Sequence, residues 1–166
     1  DHNELMECDK LLFPGVGEAY WAMEQLRERD LIRTLNEFSC SGKPLLGICL
    51  GSQIILDHSQ ERDVECLGII PGNAVKFPND MGLKIPHIGW NTIEHNGEGI
   101  FKGIPLDASF YFVHSYYVKP ERVEDVIGIT NYGIDFCSAV QCKNVTAFQF
   151  HPEKSGEVGL QLLRNF

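Results

Sequence analysis

Apolar residues in this chain fall in short clusters, and the change in their spacing along the chain predicts the order of its elements. Lys10 to Phe13 (KLLF) is a brief apolar run that stops at Pro14, Gly15 and Gly17, the pattern of a buried strand entering a tight loop. Ala19, Ala22, Met23 and Leu26 then recur at helical spacing. Leu31, Leu35 and Phe38 continue an apolar face toward Cys40 in a second short helix, which Asp30 is placed to cap. After a turn at Ser41-Gly42-Lys43-Pro44, Leu45 to Cys49 reads as a second buried strand, feeding a helix over Leu50 to Asp57. Strand, helix, strand, helix predicts an α/β fold with a central, mostly parallel sheet flanked by helices.

From about Gly68 to Gln141 the pattern shortens to β-like pieces separated by Gly, Pro and Asn. They are Ala74 to Phe77, Asn91 to Ile93, Ser109 to Val113, Tyr116 to Val118, Val126 to Thr130 and Phe136 to Gln141. These predict antiparallel strands added to the sheet. Val145 to Phe150 reads as a last buried strand, leading through His151-Pro152-Glu153 into a C-terminal helix. There Ser155 is the expected cap, Glu157 lies in the first turn, and Val158, Leu162, Leu163 and Phe166 face inward. No repeat, low-complexity tract or linker interrupts the sequence, so residues 1–166 read as a single domain.

Composition narrows the partners. The chain is 43% hydrophobic and 22% charged over 166 residues, an ordinary globular mixture, and its net charge of −9 disfavours nucleic acid and anionic lipid. Small molecules and proteins remain. The longest mostly apolar stretch, Leu45 to Leu56, is interrupted by Gly47, Gly51, Ser52 and Gln53 and is too short to cross a bilayer. The acidic first residues lack a signal-peptide pattern, so a cytoplasmic location is expected. Cys8, Cys40, Cys49, Cys66, Cys137 and Cys142 form no CxxC pair, and no Cys and His stand at zinc-ligand spacing. Neither a disulfide framework nor a metal is expected, and any cysteine chemistry comes from one thiol.

Gly47-Ile48-Cys49-Leu50-Gly51, between a predicted strand and a predicted helix, has the layout of a nucleophile elbow. It would put the Cys49 sulfur at a helix N-terminus, where the dipole favours thiolate, with the Leu50 N–H aimed at a developing oxyanion. A buried cysteine in a glycine-containing strand end is the alternative that the motif alone leaves open. Of the six histidines, His151 is the best-placed base: it follows a buried strand, precedes Pro152, and has Glu153 to orient it. A capping turn is the alternative there. A parallel sheet would join His151 to the distant Cys49, because its strands share one carboxyl edge. Pro14-Gly15-Val16-Gly17 could aim a second N–H, from Val16 or Gly17, at the same oxyanion, or form an ordinary strand-to-helix turn.

Taken together, GKPLLGICLGSQ and FQFHPEKS resemble the nucleophile and His/Glu segments of class I, triad-type glutamine amidotransferases. Within that family, PGVGEAYWAM, KIPHIGWN (Lys84 to Asn91) and FYFVHSYYV (Phe110 to Val118) are similar to the branch of glutaminase subunits of imidazole glycerol phosphate synthase, and the similarity runs from Asp9 to Phe166. The resemblance implies Cys49 as nucleophile, His151 as general base and acid, and Glu153 as its orienting carboxylate. It implies an oxyanion hole from the Leu50 N–H and a flipped peptide near Val16 and Gly17. Gln53, Ser115 and Tyr116, with Gly17, would contact the amino-acid end of glutamine. Pro86, Trp90, Asn91 and Lys154 would form the docking face for a (β/α)₈-barrel cyclase that receives ammonia, with no cofactor. On residue chemistry alone, Trp90 could equally be a core aromatic and Lys154 a solvated charge. His87 reads as a hydrogen-bonded structural residue, His114 as a neighbour of the pocket outside proton transfer, and His2, His58 and His95 as surface residues. Family members begin with a further strand, helix and strand, whereas this chain begins at Asp1, so an incomplete N-terminus is expected. Alternatives are an amidotransferase for another synthase, such as one making amidino sugars, a non-catalytic docking homologue, or a stand-alone cysteine hydrolase.

Overall fold

The structure, a computed structural model, describes residues 2–166. Helix α1 (His2–Glu7) leads to β1 (Leu11–Gly15), helices α2 (Ala19–Glu28) and α3 (Leu31–Cys40), β2 (Leu45–Cys49) and the short α4 (Leu50–Ile54). There follow β3 (His58–Ser59), β4 (Val64–Glu65), β5 (Gly72–Lys76), β6 (His87–Thr92), β7 (Ser109–His114), β8 (Tyr116–Pro120), β9 (Val126–Asn131), β10 (Asp135–Cys142), β11 (Val145–Phe148) and α5 (Gly156–Asn165).

The sheet runs β1-β2-β11-β10-β8-β5-β3-β4, with β9 paired to β10, and β6 and β7 form a separate two-stranded ribbon. Its centre is the parallel trio β1, β2 and β11. β10 joins β11, and β8 and β9 join β10, all antiparallel, as the pattern predicts, which yields a mixed sheet with a parallel core. Two of the expected additions do not join it: the pieces at residues 91–93 and 109–113 overlap β6 and β7, which pair with each other, and β3 adds to β5 in parallel. Every residue of β2 is buried, because it has a parallel neighbour on each side and packing on both faces. Successive residues serve opposite cores. Leu45 joins Met23, Leu35, Phe38 and Ile54 on one face; Leu46 and Ile48 join Phe77, Phe110, Phe112, Phe148, Phe150 and Leu162 of α5 on the other. Among the described residues, no helix is long and apolar enough to cross a membrane.

Local details depart from the sequence pattern for identifiable reasons. Pro14 and Gly15 belong to β1 rather than ending it, since β1 lies at the sheet edge, where a proline needs no ladder partner on its free side. Helix α4 ends at Ile54, not Asp57, because Asp57 is drawn onto Gly72: its N–H donates to the Gly72 carbonyl at 3.0 Å, and its carboxylate accepts the Gly72 N–H at 2.8 Å. Asp30 does precede α3, but its backbone is left-handed (φ 53°) and its side chain makes no capping bond. Nor does Ser155 cap α5; its hydroxyl instead donates to the His151 carbonyl at 2.5 Å and accepts the Tyr111 N–H at 3.0 Å.

Gly51 marks the tightest packing between α4 and β1. A Cβ there would lie 2.0 Å from the Phe13 carbonyl oxygen, a backbone atom that cannot swing aside. Gly51→Ala should therefore lower stability by roughly 3 kcal/mol or more, the upper range for overpacking, read as a drop in the urea midpoint. A change under about 1 kcal/mol would show that the elbow has room to move.

Candidate functional site

The site begins with a strained residue. Cys49 closes β2 at φ 54° and ψ −112°, a region that side-chain-bearing residues rarely occupy, and it opens directly into α4. Both flanking glycines are needed for this turn. Beyond the Gly51 contact, a Cβ on Gly47 would press within 3.1 Å of the Gly51 backbone.

The sheet then supplies the neighbours. Register in the β1–β2 pair sets Gly15 opposite Cys49, which brings the Val16-Gly17 loop beside the sulfur, with Gly17 at φ +99°. On the other flank β11 runs parallel to β2, pairing Phe148 with Ile48, and His151 follows three residues after that strand. Its backbone N–H donates to the Tyr111 carbonyl at 2.9 Å, and the Ser155 hydroxyl holds its carbonyl. The imidazole Nδ1 donates to Glu153 Oε1 at 2.6 Å. That bond places the bare lone pair on Nε2, which is buried and has no hydrogen-bond partner among the described residues. Cys49 and His151 open on one cavity of about 370 Å³, whose wall includes Val16, Gly17, Leu50, Gln53, Glu61, Pro86, His114, Ser115, Tyr116 and Lys154.

A family model described as glutamine amidotransferase class-I matches residues 2–166 of this chain. The chain belongs to the class I glutamine amidotransferase family. Among its relatives, the imidazole glycerol phosphate synthase subunit HisH of Herpetosiphon aurantiacus is 46% identical over 157 residues, covering 94% of this chain and 74% of that protein. The HisH subunit of Mannheimia succiniciproducens is 45% identical over 163 residues, covering 98% and 81%. The fold alone is shared with a solved glutamine amidotransferase at a TM-score of 0.75 and 19% identity, covering 99% of this chain and 82% of that one.

For a class I glutamine amidotransferase, the sequence expectations meet the geometry unevenly. Cys49, His151, Val16, Gly17, Leu50, Gln53, Ser115, Tyr116, Pro86 and Lys154 all reach the cavity wall. Glu153 stands behind His151, bonded to Nδ1, with its side chain 46% exposed. Trp90 and Asn91 lie outside the cavity on β6. Trp90 is 58% exposed and Ile88 56%, which excludes the core-aromatic reading of Trp90. Trp90 meets Tyr111 edge-on at 6.1 Å, and the Lys154 ammonium sits 6.0 Å from the same Tyr111 ring. His95, expected at the surface, is half-buried: its ring stacks on Phe101 at 4.4 Å beside the phenylalanine-rich core.

Glu61 was missed by sequence reasoning. Its carboxylate reaches the cavity and accepts the Ala19 N–H at 2.7 Å, so it ties the segment after α4 to the start of α2. Burial pushes its carboxyl above the usual range, against the opposing pull of that N–H. Nothing in DHSQERDVE singles out one acid among Asp57, Glu61, Asp63 and Glu65.

The expected thiolate is the clearest correction. Burial pushes the Cys49 thiol up to about 11; the Leu50 N–H pulls it down, the Glu153 charge pushes it further up, and Lys154 offsets part of that. Desolvation outweighs the end of a helix only five residues long. In the uncovered chain the resting form is therefore the neutral thiol. Below the thiol's pKa the thiolate fraction grows tenfold per pH unit, so alkylation of Cys49 by iodoacetamide should rise about tenfold per unit between pH 7 and 9 without levelling. Peptide mass spectrometry would separate it from the exposed Cys8 and Cys40. A plateau below pH 9 would overturn this assignment.

Proposed function

We propose that this chain is the glutaminase subunit of an imidazole glycerol phosphate synthase, with Cys49, His151 and Glu153 as its catalytic triad. The observation that carries the triad is the buried, unpartnered His151 Nε2 facing the same cavity as the strained Cys49, with Nδ1 held by Glu153. Identity of about 45% to HisH subunits over nearly the whole chain supports the synthase assignment.

The chemistry follows from where the protons go. Glutamine enters with its carboxamide carbon against Cys49 Sγ; as sulfur attacks, the thiol proton passes to His151 Nε2. The neutral resting thiol requires this transfer, because little thiolate is present beforehand. Negative charge forming on the amide oxygen is met by the Leu50 N–H and by the peptide at Val16-Gly17. His151 then protonates the departing nitrogen, the C–N bond breaks, and ammonia leaves a γ-glutamyl thioester on Cys49. A water, deprotonated by the same Nε2, cleaves the thioester to glutamate and restores the thiol. Glu153 keeps Nδ1 protonated throughout and stabilises the imidazolium.

Gln53, Ser115 and Tyr116 bind the amino-acid end of glutamine, and Glu61 offers a carboxylate for its ammonium group. Ammonia must be passed on before water protonates it. The receiving partner is a (β/α)₈-barrel cyclase seated over the cavity rim, where Pro86 and Lys154 adjoin the exposed Trp90 and Ile88, with Asn91 on the same strand. An aromatic with this exposure, packed edge-on against the Tyr111 ring that Lys154 also meets, suits an interface anchor.

Two experiments test this. Cys49→Ala should reduce glutamate release from glutamine by at least about 10³-fold, the order for loss of a covalent nucleophile, while leaving cyclase binding within about twofold. Substantial residual turnover would sink the triad. Trp90→Ala should weaken cyclase binding by about tenfold or more, measured by titration calorimetry, with the melting temperature unchanged. Lost thermal stability with intact binding would return Trp90 to a structural role.

A further inference from the structure

Two buried histidines outside the proposed triad form a continuous chain of hydrogen bonds, and its direction can be deduced. His114 Nδ1 lies 2.8 Å from the Tyr116 carbonyl, which can only accept, so Nδ1 carries the hydrogen. Burial holds the His114 imidazole down to about 3 and that of His87 down to about 4; both rings are therefore neutral. A neutral His114 has a bare Nε2, which accepts from His87 Nδ1 at 3.0 Å. His87 Nε2 is then bare in turn and faces the Asn91 amide nitrogen at 3.4 Å, which also donates to the Asn131 carbonyl at 2.9 Å. At the inner end, the Tyr116 carbonyl takes a second hydrogen bond, at 3.0 Å, from the Gln53 amide, whose other N–H goes to Gln149 Oε1 at 3.0 Å.

His87 does not reach the cavity. It is 2% exposed, clamped between Tyr132 at 4.0 Å and Phe112 at 4.9 Å, both nearly parallel to its ring. A phenylalanine would satisfy that clamp. A histidine there accounts for something stacking does not require: a donor to His114 and an acceptor for Asn91.

We propose that His87 is a positioning residue for glutamine, fixing the Tyr116 carbonyl and the Gln53 amide through His114. The inference rests on the reading of the cavity as the glutamine site. Because the chain's outer end is Asn91 on β6, the strand proposed to meet the cyclase is joined by hydrogen bonds to the substrate pocket.

A chloroketone analogue of glutamine, which alkylates Cys49 with loss of chloride, separates binding (KI) from reaction (kinact). His87→Phe keeps the stack and removes both hydrogen bonds. It should raise KI by about tenfold, the order for one buried hydrogen bond, with kinact within about twofold and an unchanged melting temperature. His87→Asn, whose amide can still donate to His114, should return KI to within about threefold of the parent. That variant also serves alone should His87→Phe fail to fold: a tenfold rise there overturns the proposal. Unchanged KI in His87→Phe overturns it too, as does an equal rise in both variants accompanied by equal loss of melting temperature. If the parent protein itself resists labelling at Cys49, the glutamine reading fails first and the inference with it.

Discussion

The site depends on a close approach between two pieces of backbone, α4 and the end of β1. Gly51 lies so near the Phe13 carbonyl that a methyl group would overlap it, and this close approach pins the start of α4, where Cys49, two residues earlier, holds its strained conformation. Such a backbone costs on the order of 1–3 kcal/mol and persists only where its surroundings over-determine it. Here they do so through β2, buried along its whole length and hydrogen-bonded on both sides. The same pairing that stabilises the turn delivers Val16-Gly17 from one neighbour and His151 from the other. The strained turn, the proposed oxyanion donors and the proposed base are thus all placed by one three-stranded parallel unit.

Around that unit, polar groups divide between fixed neutral ones and charges kept near water. His87, His114, Gln53 and Gln149 are buried and joined to one another or to the Tyr116 carbonyl, which gives the pocket wall few ways to rearrange. Glu153 and Lys154, by contrast, remain exposed on the short turn before α5. Among the described residues lining the cavity, Lys154 is the only lysine or arginine in a chain of net charge −9. A protein covering this face would remove water from both ions together and strengthen their fields at the sulfur.

Legibility in the sequence followed the range of the interactions. The β2 strand and the Gly-x-Cys-x-Gly turn could be read directly, because an apolar run, two glycines and a helix start are local signals. His151 and Glu153 were legible as a pair by spacing, but their meeting with Cys49 needed the parallel pairing of β2 and β11. The front of β6 was hidden, since its outward residues, Ile88 and Trp90, are apolar and its inward residue, His87, is polar, the reverse of an ordinary surface strand. Capping failed as a guide for the opposite reason: Asp30 and Ser155 are good caps by type, yet a left-handed backbone and a competing bond to His151 redirect them. Glu61 and Gln149 owe their places to partners distant in sequence, and no local pattern marks them.

The burial of Cys49 has one more consequence, in redox chemistry. Peroxide attacks thiolate rather than thiol, and the product ladder leads from sulfenic acid to irreversible forms. With its thiol held at about 11, Cys49 is ionised in only about one molecule in 10⁴ at neutral pH. The desolvation that holds the thiol protonated therefore also shelters Cys49 from oxidation, so that in the proposed reaction its sulfur becomes reactive only when substrate fills the cavity and His151 takes the proton.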